Sequence, residues 1–168
     1  MNKRDVEMRQ IENTELRENI NTFLKEEEDF LRNNLKELDI IEYKYDISIA
    51  VEALGLDEDL VHQLVEDYII QILKSTSSFY EHIKALQLAH IDNNPLDYEN
   101  LRNLAHKNLG VARNLHIADA QKLLTILMNE EDFDYLRKCV KALEATTAKL
   151  IPLCAYETMK LIEVKNSL

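Results

Sequence analysis

One histidine of this 168-residue chain stands in a setting suited to covalent chemistry. In the stretch RNLAHKNLGVAR, residues 102–113, His106 is followed four residues later by Gly110, one of only two glycines in the chain. A glycine inside a helix costs about 1 kcal/mol relative to alanine, so its placement asks for a reason. Imidazole has an ordinary pKa of about 6.5 and is largely neutral near pH 7. A neutral ring nitrogen can attack phosphorus and hold a phosphoryl group. Arg102 lies one turn before His106 and Arg113 two turns after, on the same side of a helix, where they would balance the added negative charge. Gly110 would let the active site of a partner close over the ring.

The helix that must position these groups is legible in the spacing. At about 100° per residue, Leu101, Leu104, Ala105, Asn108, Ala112 and Leu115 gather on one face, with Leu109 at its border. That face is the expected core side. His106 falls roughly 140° from Leu101, outside the apolar stripe. The plain alternative is a surface histidine whose neighbouring arginines pair with Glu99 or Asp119.

The rest of the chain sets the frame. Two glycines, two prolines and no Asn-Gly or Asp-Gly leave few breakers and no hairpin signal. Together with the abundance of Leu, Glu, Lys, Ala and Ile, this predicts an all-α protein. No apolar run approaches the ~18 residues of a membrane span, and the first residues lack the apolar core of a signal peptide. Cys139 and Cys154 read as reduced thiols, and a cytoplasmic location follows as the expectation. A net charge of −11 argues against sequence-independent nucleic-acid binding, which needs excess Lys and Arg.

Along the chain, residues 1–45 are rich in charge and carry Leu16, Ile20, Phe23, Leu24, Phe30, Leu31, Leu35 and Leu38 in three- and four-residue steps, broken at Glu27. They predict an amphipathic helix with a weak seam. It either packs on the main domain or serves as a self-associating or partner-docking helix. From residue 46 the pattern changes. Asp46 caps a short helix closed by Gly55, and Asp57 caps a long one reaching about residue 91, with a Ser/Thr run at 75–78 that kinks or continues it. After the loop DNNP, Asp97 caps the His106 helix. A turn at His116, a short helix, and a final helix from about Phe133 follow, with Pro152 kinking or ending the last. Short connections between amphipathic helices predict an antiparallel four-helix bundle within 46–168, and residues 1–45 as an additional N-terminal helix.

The order of these elements and the pattern around His106 resemble the histidine phosphotransfer (HPt) domain of bacterial phosphorelays, over about residues 46–150. The family pattern is His-x-Leu-Lys-Gly-x-Ser/Ala; His106, Gly110 and Ala112 match it in register. The resemblance implies a four-helix bundle whose histidine accepts a phosphoryl group from a receiver domain's aspartyl phosphate and passes it to another receiver. It implies a receiver domain or hybrid histidine kinase as partner, and no cofactor or metal of the chain's own, because the receiver supplies the metal. Two positions depart: Asn108 stands for the family leucine and Leu109 for the lysine. Asn108 on the core face needs a hydrogen-bond partner, since an unsatisfied buried amide costs about 1–3 kcal/mol. With the lysine gone, Arg102 is the first candidate for its charge and Arg113 the second.

Two other functions compete. The lost lysine motivates an HPt-like adaptor that binds a receiver or kinase without accepting phosphate. A di-iron bundle needs Glu-x-x-His pairs, and the residues three before His62, His82, His90, His106 and His116 are Asp59, Phe79, Gln87, Asn103 and Arg113.

Overall fold

The computed structural model describes residues 2–168, apart from the side chain of Ile11. The described residues form seven α-helices and one 3₁₀ turn, with no strand among them: α1 (Lys3–Asn34), the turn Lys36–Leu38, α2 (Ile47–Leu54), α3 (Glu58–Ile91), α4 (Glu99–Asn114), α5 (Ala118–Asn129), α6 (Phe133–Ala148) and α7 (Pro152–Asn166). Among the described residues no helix is long and apolar enough to cross a membrane.

Local chemistry sets most boundaries. The Asp46 carboxylate accepts from the Ser48 N–H at 3.0 Å and opens α2, and Gly55 closes it at φ 63°, where a Cβ would be strained. Asp57 stands at the cap of α3, but its side chain makes no capping bond. The Ser/Thr run does not interrupt α3, because Ser75 Oγ donates to the Gln71 carbonyl at 2.7 Å and Thr76 Oγ1 to the Leu73 carbonyl at 2.9 Å. At Pro152 the chain does break. Helix α6 stops at Ala148, and the proline occupies the first turn of α7, where its missing N–H is not needed.

Helices α3, α4, α5 and α6 pack in a closed ring, each against two of the others. Tyr68, Ile69, Ile72 and Phe79 of α3, Leu101 and Ala105 of α4, Leu123 and Leu124 of α5, and Leu136 and Leu143 of α6 are all buried at 1% exposure or less. The same core takes in Leu31 and Leu35 of α1 and Ile40 beyond it, so its apolar contacts continue across residue 45. Helix α1 lies against α6 and α7 through its second half. Glu27, where the apolar steps of α1 falter, is buried. Its Oε1 lies 3.4 Å from the Lys141 Nζ of α6, and burial pushes its pKa up. Of residues 2–18, Ile11 aside, only Val6 and Leu16 are even partly covered.

The segment between α1 and α2 straps the end of α4. Tyr45 donates its hydroxyl to the Leu115 carbonyl at 2.7 Å, and the Tyr43 oxygen accepts from the Ala118 N–H at 3.1 Å. Each such bond is worth about 1 kcal/mol net. Together they fix where the His106 helix stops and α5 begins.

Candidate functional site

Helix α4 is held at both ends. At its start, the Asp97 carboxylate accepts from the Glu99 N–H at 2.9 Å. At its end, the Ile117 N–H reaches back to the Ala112 carbonyl at 3.0 Å and the His116 N–H to the Arg113 carbonyl at 3.1 Å, while His116 takes φ 56°. This is a Schellman stop with histidine where glycine is usual, and Ile117, buried at 1%, seals it. Rigid ends leave the middle of α4 fixed in orientation.

The inward face is Leu101, Ala105, Asn108, Leu109, Ala112 and, just beyond the helix, Leu115. Leu104 is only partly covered, and Leu109, expected at the border, is 2% exposed. Asn108 is wholly buried, and both its amide oxygen and its amide nitrogen have a partner. Its Oδ1 accepts from Gln71 Nε2 at 2.9 Å, and its Nδ2 donates to the Leu104 carbonyl at 2.9 Å. The partner that the sequence demanded for Asn108 is therefore a glutamine on α3. No spacing within α4 could have pointed to it.

The outward face carries Asn103, His106, Lys107, Gly110, Arg113 and Asn114, all exposed. The His106 side chain makes no hydrogen bond, ion pair or ring contact among the described residues, so both ring nitrogens are open to a reagent. A Cβ built on Gly110 would meet nothing within 4 Å, and Gly110 does not adopt positive φ. Nothing inside the chain requires glycine there. Its conformational cost is not offset by packing or by backbone geometry of the protein itself.

The two arginines part company. Arg102 donates from Nη1 to the Leu127 carbonyl at 2.7 Å and from Nη2 to the Glu130 carbonyl at 2.8 Å, and its guanidinium lies 4.6 Å from the centre of the Tyr98 ring. Burial draws its pKa down, while Tyr98, Glu131 and Glu130 push it back up. The side chain closes the C-terminus of α5, whose last carbonyls lack helical partners. Arg113 is exposed, and its guanidinium has no partner among the described residues. Neither arginine pairs with Glu99 or Asp119. Asp119 is 4% exposed and accepts from the Ala120 N–H at 2.7 Å. Burial pushes its pKa up to about 6.

Of the other histidines, His116 stands exposed in the turn that ends α4. His62 lies 3.1 Å from Glu66 within α3, and His90 meets the Phe133 ring edge-on at 5.9 Å. Among the described residues no group of three or more His, Cys, Asp or Glu side chains is placed to hold a metal ion. Cys139 is buried, and burial pushes its thiol up to about 12. Compared with protein-family models, with curated proteins and with solved structures, the chain matches none.

Proposed function

We propose that this protein is a phosphorelay intermediate that accepts a phosphoryl group on His106 from a receiver-domain aspartyl phosphate and passes it to another receiver. The observation that carries this reading is the pairing of His106 with Gly110. An unpartnered, exposed imidazole stands mid-helix, one turn from a glycine that no contact inside the chain requires. A glycine without an internal reason fits an external one, the close approach of a second protein's backbone. In the transfer, a ring nitrogen of neutral His106 forms the N–P bond as the P–O bond to the donor aspartate breaks. The electron pair leaves with the carboxylate, and the imidazolium proton is lost to solvent or retained until the reverse step.

The ring of α3, α4, α5 and α6, with its short connections, reads as the antiparallel four-helix bundle of the HPt family, and α1 as an addition to it. The partner is a receiver domain, free or attached to a hybrid histidine kinase, in a bacterial cytoplasm. Arg113 and Lys107 are the cations left to meet the phosphoryl charge, since Arg102 is committed to α5.

Leu109 favours a second reading. The position of the family lysine is here an apolar residue turned into the core, which suits an adaptor that binds receivers without accepting phosphate. Incubation with phosphorylated receiver domains separates the two. Acid-labile, base-stable label on the wild type, absent from His106→Gln, supports the relay. Receiver binding without label supports the adaptor.

A further inference from the structure

Helix α7 carries apolar residues on two opposite faces. On a wheel of about 100° per residue, Ala155, Met159 and Ile162 gather on one side and pack onto the core beside α3 and α1. Leu153, Leu161 and Val164 gather about 170° away, and they are 45%, 72% and 59% exposed. A helix on the surface of a monomer has one apolar stripe, and a contiguous exposed second one marks a contact surface. With Glu157 included, the stripe runs 153, 157, 161, 164, in the four- and three-residue steps of a helix-pairing seam.

The charges on this face choose the occupant. Glu157 sits inside the stripe, and burying it against an uncharged surface would strand a carboxylate. Lys160 and Lys165 flank the stripe, both exposed. If two α7 helices run antiparallel about a two-fold axis through Leu161, Glu157 of each copy is level with Lys165 of the other. Leu161 then meets its own counterpart. The face is complementary to itself in that arrangement through Leu161 and through the two Glu157–Lys165 pairs.

We infer that the protein forms a two-fold dimer through the outer face of α7, with a second copy of this chain as occupant. The inference is independent of the phosphoryl chemistry. Helix α7 packs on α3, α1 and α6, whereas α4 packs on α3 and α5, so the dimer leaves the His106 face of each copy open.

Sedimentation equilibrium of the full chain, from low micromolar to submillimolar concentration, tests this. The wild type is expected to approach twice the 19.6 kDa chain mass. Leu161→Lys is expected to stay monomeric with its helical circular dichroism unchanged. Glu157→Lys and Lys165→Glu should each raise the dimer dissociation constant about tenfold, and the double exchange should restore it. In a Cys154→Ser background, Leu161→Cys should oxidise to a covalent dimer and Met8→Cys, on the exposed half of α1, should not. A monomer at every concentration overturns the inference. So does a dimer indifferent to Leu161→Lys, or one that cross-links through residue 8 instead.

Discussion

The two faces of α4 follow different rules. Inward, side chains are fixed by what they touch: Leu109 by the core, and Asn108 by Gln71 and the Leu104 carbonyl. Outward, among the described residues, His106 has no hydrogen-bond, ionic or ring partner, and a Cβ on Gly110 would meet open space. The inward face explains itself from the folded structure, and the outward face does not. Residues whose type costs stability yet serves no internal contact are the ones to assign to a second molecule. On this view, substitutions inside should destabilise the fold, and substitutions outside should leave it intact or firmer and act on the proposed transfer.

The strongest test of that division puts a lysine, as in the HPt pattern, at position 109. Leu109→Lys would place an ammonium at a position 2% exposed. It is expected to lose about 3 kcal/mol or more in urea denaturation, because a buried unpaired charge is among the costliest changes. Were the position in truth an outward one, the lysine would be tolerated and transfer would rise. Arg102 stands on the boundary between the faces. Arg102→Gln should cost on the order of 2 kcal/mol through the lost clamp on the α5 carbonyls, with the transfer rate of the folded fraction little changed. Asn108→Leu strands the Gln71 amide and should cost about 1–2 kcal/mol. Combining it with Gln71→Leu should recover most of that loss, as a double-mutant cycle would read. Gly110→Ala inverts the sign. With nothing within 4 Å of the new Cβ, thermal unfolding should show a gain of about 0.5–1 kcal/mol, while transfer from a receiver slows.

Much of this division was legible in the sequence. The period of the apolar residues placed His106 outside and Asn108 inside, and it required a partner for the amide before one was seen. Caps at Asp46 and Gly55 were readable because they act within a few residues. What could not be read was whatever crosses between helices. Arg102 and Arg113 look equivalent on a wheel, and only the packing of α5 beside α4 sends one guanidinium to the Leu127 and Glu130 carbonyls. The same packing buries Leu109, which the wheel left on a border. The straps from Tyr43 and Tyr45 span about seventy residues of chain and leave no local signal. Whether Pro152 bends the last helix or starts a new one is open in the sequence, because a proline suits both; the structure ends α6 at Ala148 and starts α7 at Pro152.

The outward face makes one claim above the rest, that His106 is the phosphoacceptor. Wild type and His106→Gln, matched for stability by urea denaturation, should be incubated with a panel of phosphorylated receiver domains. The relay predicts acid-labile, base-stable label on the wild type and none on the variant. Label that persists in His106→Gln, or a wild type that binds a phosphorylated receiver and never takes the group, would contradict it.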